Sequence, residues 1–203
     1  FAAADDAARV AVEQRAAAGE VPEAAVGPLA ERMFDLASKT GPKLRRTGRG
    51  WFYDEKTKKG LYIVGPSARK PCGLLIALHG GGEGQGDAGS AFGQFGGATS
   101  QGFTVIAPEV MAKVSSAWNE QAEERFVLDL IDAAKRTFPV DPDRICIAGH
   151  SMGGDGSWMI GGRNADLFAA ASPLAGSVMP YMRPGTNNKR RTPRDAYLGL
   201  MEG

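Results

Sequence analysis

Glycine crowds into two short stretches of this chain, and each begins where a β-branched apolar run ends. Ten of the 28 glycines lie between Gly80 and Gly102, after LLIALH, and six more lie between Gly149 and Gly162, after RICIA. Flexible tails scatter glycine through polar sequence. Glycine that follows a buried strand instead marks tight turns, or backbone brought close to a ligand. The pattern predicts two functional loops carried on an α/β scaffold.

The periodicity supports that scaffold. Residues 2–18 are alanine-rich with Asp5 and Asp6 near the front, a composition that starts a helix. A second helical stretch over 23–38 places Ala25, Leu29, Met33 and Leu36 on one face, and Gly41-Pro42 stops it. The basic segment KLRRTGR then reads as a solvated connector, with an anionic-partner site as its alternative. From Trp51 the period changes. Trp51-Phe52-Tyr53 and Leu61-Tyr62-Ile63-Val64 flank DEKTKKG as a hairpin. LLIALH (74–79), FTVIAP (103–108) and RICIAGH (144–150) are continuous apolar runs of the kind buried on both faces of a parallel sheet. Between the last two, Phe126, Leu130, Ile131 and Ala134 fall at helical spacing. Strand and helix thus alternate, so right-handed crossovers should build a mostly parallel sheet with helices on both faces. The expected division is an N-terminal helical extension over 1–45 and an α/β domain over 46–203.

Composition narrows the function. With 24 Lys+Arg against 23 Asp+Glu the net charge is +1, which gives no electrostatic reason to expect nucleic acid. No apolar run approaches the roughly 20 residues needed to cross a bilayer. Cys72 and Cys146 allow a single bridge and form no metal-binding pattern, so both read as buried or half-buried thiols. Neither a metal nor an organic cofactor is expected. Phe1 stands where Met would open a nascent chain; processing or trimming fits, and a removed signal peptide would place the protein in a secreted or periplasmic setting.

The chemistry concentrates at two strand ends. Gly149-His150-Ser151-Met152-Gly153 matches G-x-S-x-G, preceded by a buried strand and followed by a stretch that can open a helix, the setting the motif requires. Gly149 and Gly153 lack bulk where strand and helix would nearly touch. Ser151 Oγ is thereby expected to stand clear of the sheet at a helix N-terminus, whose dipole favours a nearby oxyanion. His79-Gly80-Gly81-Gly82 ends the LLIALH strand, and small residues there can turn backbone N–H groups inward. The expected oxyanion donors are Gly81 or Gly82 together with Met152, the residue after the nucleophile. A phosphate-cradling loop is disfavoured: GGGEGQGDAG has neither Lys followed by Ser/Thr nor G-x-G-x-x-G opening a helix.

Together HGGG and GHSMG at strand ends resemble the α/β-hydrolase family over about residues 61–180. Within it, "LLIALHGGGEG", "AWNEQAEERFVLDLIDAAKRTFPVDPDRICIAGHSMGG" and "DLFAAASPLAG" resemble the polyhydroxybutyrate-depolymerase-like and feruloyl-esterase-like branch, and the prolyl-oligopeptidase-type hydrolase domains. The resemblance implies neighbouring strands at LLIALH and RICIAGH, and ester or amide hydrolysis through an acyl-enzyme on Ser151. If His79 and Ser151 mark level strand ends, Cys146 lies opposite Leu74 or so. The offset from Cys72 is then too large for a disulfide.

The expected function is that of a serine hydrolase cleaving a small-molecule or polymeric carboxylic ester. A peptidase or acyltransferase on the same fold is the nearest alternative, and a non-catalytic binding module that kept the bend but lost its base is the more distant one. The fold's triad order is Ser, then acid, then His, yet the 52 residues after Ser151 contain no histidine. His150 is expected to pack away from the Ser151 hydroxyl, and His79 to order the glycine loop. Asp155, Asp166, Asp195 and Glu202 are the acids available, none at a convincing position. The sequence therefore reads as the N-terminal part of a longer hydrolase, with base and acid in a missing C-terminal segment. Trp118 and Asn119 follow FTVIAP on its carboxyl side, where ligands bind in open α/β sheets, and are candidate pocket walls. Ser177 to Tyr181 could line the same cleft. Lys189, Arg190, Arg191 and Arg194 read as a solvated loop, with recognition of an acidic substrate group as the alternative.

Overall fold

The computed structural model describes residues 40–81, 86–111 and 117–176. The chain divides at Lys43/Leu44 into two units, and nearly all described residues belong to the second. The expected helices over 2–18 and 23–38 lie outside the described residues.

Among the described residues ten elements follow in order: β1 (Gly48–Asp54), β2 (Lys59–Gly65), β3 (Cys72–Leu78), α1 (Ala88–Phe95), a 3-10 turn (Gly96–Gln101), β4 (Phe103–Pro108), α2 (Gln121–Thr137), β5 (Val140–His150), α3 (Met152–Arg163) and β6 (Ala170–Leu174). They make one six-stranded sheet in the order β1-β2-β4-β3-β5-β6. The hairpin β1/β2 joins antiparallel at one side, and β4, β3, β5 and β6 run parallel. The central strands are continuous apolar runs because both faces are covered. From β3, Leu74, Ile76 and Leu78 face a core shared with Phe126, Leu130 and Ile131 of α2 and Ile160 of α3. Leu75 and Ala77 face the other way, against Ala88 and Ala91 of α1 with Val105 and Ala107 of β4. Helices therefore cover both faces, as the alternation of strand and helix predicts.

Three sequence expectations are corrected. β5 begins at Val140, four residues before Arg144, because Val140 pairs with Cys72 ahead of an irregularity in the ladder; the polar Asp141-Pro142-Asp143 hides this from the apolar pattern. The register of β3 on β5 is Leu78 opposite Gly149 and Leu75 opposite Cys146, one residue from the expected Leu74. Both cysteines are free, as expected, with Cys72 buried and Cys146 half-buried. Burial pushes the Cys146 thiol up, so it carries little thiolate at neutral pH. Finally, the first glycine cluster contains a helix, α1, which the glycine content obscured. Its start is a capping box: Ser90 N–H donates to Asp87 Oδ1 at 2.7 Å, and Asp87 N–H donates to Ser90 Oγ at 3.2 Å.

Candidate active site

Ser151 occupies the bend between β5 and α3 with φ 55° and ψ −119°, a conformation that L-residues rarely adopt. Its N–H donates to Leu174 O at 2.9 Å, which ties the bend to the end of β6, and Asp155 N–H donates back to Ser151 O at 3.0 Å, the first turn of α3. The side chain is exposed. The bend is possible because the backbones around it nearly touch. A Cβ on Gly149 would collide with the backbone carbonyl of Gly153, and one on Gly153 would collide with the carbonyl of Leu78 at the end of β3.

The glycine loop after β3 approaches from the other side. A Cβ on Gly80 would stand 2.6 Å from His150 O and 3.4 Å from Ser151 Cβ, so this loop passes directly beside the serine. Gly81 follows at φ 95°. Neither the Gly81 N–H nor the Met152 N–H has an acceptor among the described residues. For Met152 the reason is general, since the first helical residue has no carbonyl one turn earlier. Gly82, the other expected donor, lies outside the described residues.

A family model named Esterase, described as "Putative esterase", matches residues 48–198. The chain belongs to this family. No curated protein matches it. Among solved structures it is similar to S-formylglutathione hydrolase (FrmB) of Staphylococcus aureus, as apoenzyme, at 22% identity over 70% of this chain and 61% of that one, with a TM-score of 0.50. It is also similar to FphF, the substrate-bound fluorophosphonate-binding serine hydrolase F of the same organism, at 20% identity over 70% and 67% with a TM-score of 0.52. Native pOPH matches at 16% identity over 68% and 55%, with a TM-score of 0.56. The chain thus spans between about half and two thirds of the length of these neighbours. The fold is the α/β-hydrolase fold, a mostly parallel open sheet with helices.

Around this Esterase-family bend the other residues sort clearly. His79 is 1% exposed and fully engaged. Val110 N–H donates to its Nε2 at 3.2 Å, which leaves the proton on Nδ1, where it donates to Gly80 O at 2.9 Å. Its carbonyl accepts from Trp118 Nε1 at 2.9 Å. His79 therefore orders the loop. Replacing it with Leu should leave the Val110 N–H buried without an acceptor and cost about 1–3 kcal/mol in urea unfolding. Trp118, a candidate pocket wall, is 1% exposed and stacks edge-on against His79 at 5.1 Å. It packs against the interior of the described residues. His150 corrects a further expectation: it is exposed, not packed, because it sits with Leu174, 41% exposed, on the last rung of the β5/β6 pair. Asn119 is half-buried, with its Oδ1 buried and without a hydrogen-bond partner among the described residues. Asp155 is half-buried in the first turn of α3, and Asp166 is exposed in the turn after it. Asp195, Glu202, residues 177–181 and the basic run from Lys189 to Arg194 lie outside the described residues.

Two contributors carried no sequence expectation of their own. Gly80 is the glycine of the HGGG run that touches the bend. Glu109 anchors α1, which follows the loop, by accepting from Ala88 N–H at 3.1 Å. An acid directly after FTVIAP was the available signal for the second.

Proposed function

We propose that this protein is a serine hydrolase of carboxylic esters. The supporting observation is the exposed Ser151 at φ 55° on a strand-to-helix bend, with a glycine loop running beside it. In this reading a general base takes the Ser151 hydroxyl proton as Oγ attacks the acyl carbon and returns it to the departing alcohol, and water later releases the acid from the acyl-enzyme. The Met152 and Gly81 amides receive the oxyanion as charge develops, because neither has an acceptor among the described residues and one lies at a helix N-terminus. Family membership supports ester chemistry over other acyl transfers.

The proton carrier is assigned to neither histidine of the chain. The Nε2 lone pair of His79 is taken by Val110, and His150 makes no hydrogen bond to Ser151 among the described residues. The substrate is proposed to be a small or polymeric ester, with no cofactor. The resemblance to depolymerase-like and feruloyl-esterase-like chains selects the panel that tests it: hydroxyalkanoate oligomers, hydroxycinnamate esters and aryl acetates against peptide amides. Turnover of the amides in preference to every ester would overturn the ester assignment.

The glycine loop supplies a separate test. Gly81→Ala forces an L-residue to φ 95° and should displace the amide. Loss of one oxyanion donor lowers kcat about 10²- to 10³-fold, with KM nearly unchanged. An unaltered kcat would remove Gly81 from the reading.

A further inference from the structure

At the opposite end of the central strands, the link before β1, the turn before β3, the start of β4 and the corner after α2 border an open cavity of about 240 Å³. That volume is below the range usual for drug-sized ligands and suits a small ion or ester. Buried Cys72 and Thr104 contribute to its lining, with Thr104 Oγ1 accepting from Ser67 N–H at 3.1 Å. Arg46, Arg69 and Lys70, all three exposed, stand around its mouth, and no carboxylate lines it. None of these three cations forms an ion pair among the described residues.

The cluster is built from distant sequence. Arg46 belongs to the basic connector, which is not simply solvated: Leu44 is buried and its N–H donates to Thr137 Oγ1 at 2.8 Å, and Arg45 N–H donates to Tyr62 Oη at 2.9 Å. Those two bonds fix where Arg46 emerges. Arg69 is held as well. Its N–H donates to Ser67 Oγ at 3.0 Å, and its stem lies against Gly102, where a Cβ would stand 2.8 Å from Arg69 Cδ. Ser67 Oγ accepts in that bond, so its own proton remains to be given to a ligand.

We propose that this cavity binds a small phosphate-bearing anion. Three cations with no ion pair among the described residues favour a dianion over a monocarboxylate, and guanidinium groups match the oxygen geometry of phosphate. The site is distinct from Ser151. β3 begins at the cavity with Cys72 and ends beside α3 at Leu78, and the strand's 7 residues rise about 3.3 Å at each step from one to the next, which separates the two by about 20 Å.

The test is titration calorimetry on the intact protein in phosphate-free buffer, at ionic strength held constant with sodium chloride. Inorganic phosphate and glycerol phosphate form separate arms, which distinguish the free ion from a phosphate ester as the source; malonate is the carboxylate control. At least one phosphate arm is expected to bind saturably and more tightly than malonate. Arg46→Gln with Arg69→Gln should weaken it about 10- to 100-fold, the scale of lost charge-assisted hydrogen bonds, and Lys70→Gln alone should weaken it measurably. Lys56→Gln, an exposed change in the β1/β2 turn, and Ser151→Ala should both bind as the parent does. The proposal is overturned by absence of saturable binding in both phosphate arms, by parental affinity in the double variant, by malonate binding as tightly, or by loss of binding in Ser151→Ala.

Discussion

Ser151→Ala should abolish labelling by a fluorophosphonate probe and lower ester turnover by about 10⁵-fold or more, as removal of an acyl-enzyme nucleophile does. Ser151→Gly should abolish both equally while making the protein more stable, by about 1 kcal/mol. The opposite signs come from one geometry. At φ 55° and ψ −119° the serine occupies a region that costs a non-glycine residue about 1–3 kcal/mol. Glycine adopts it freely, and gives back part of that gain through its larger entropy when unfolded, about 0.5–1 kcal/mol. Alanine keeps the strain and loses only the hydroxyl. A bend of purely architectural purpose would be relieved by glycine with no loss elsewhere, so the paired readout of urea unfolding and labelling separates strain held for chemistry from strain without use. Labelling that persists in Ser151→Ala would refute the role assigned to this residue.

The bend was legible because its requirements are local. A buried strand, a glycine two residues either side of a serine, and a helix behind it all fall within residues 144–163, so the motif can be read from one short segment. The central strands were legible for a related reason: β3 is covered on both faces, so its apolar run is unbroken. What escaped depends on partners far along the chain. α1 packs Ala88 and Ala91 on Ala77, Val105 and Ala107, small residues against small residues, which tolerates a glycine content that suppresses any helix propensity. Trp118 stands on the carboxyl side of β4 as expected, yet its burial is decided by Gly156 in α3, where a Cβ would lie 2.8 Å from the indole Cγ. No pattern around residue 118 announces that. The convergence of Arg46 with Arg69 and Lys70 is equally tertiary: the connector that carries Arg46 lies more than 20 residues away in sequence from the other two.

The same close approach makes α3 a helix in which one substitution should have opposite consequences at two positions. Gly153→Ala is expected to cost more than 3 kcal/mol, or to prevent folding, whereas Gly162→Ala should stabilise by about 0.5–1 kcal/mol. At Gly153 the added methyl would collide with the Leu78 carbonyl and stand 2.8 Å from His79 O, both backbone atoms of the central strand's end. Flexible side chains could yield, but these atoms are fixed by β3 pairing with β4 and β5 on its two sides. Relief therefore means moving the helix away from the sheet. Overpacking of a well-packed core typically costs 1–3 kcal/mol, and backbone that cannot yield puts this site beyond that range. Against a total stability of about 5–15 kcal/mol the loss is severe. At Gly162 nothing lies within 4 Å of the new methyl, so only the helix preference of alanine and the reduced entropy of the unfolded chain remain, and both favour the variant. The two variants share a helix, a chemistry and a change in volume, so urea unfolding of the pair isolates contact with the sheet as the cause. Equal effects at the two positions would mean that α3 does not press on the end of β3, and the support beneath Ser151 would have to be found elsewhere.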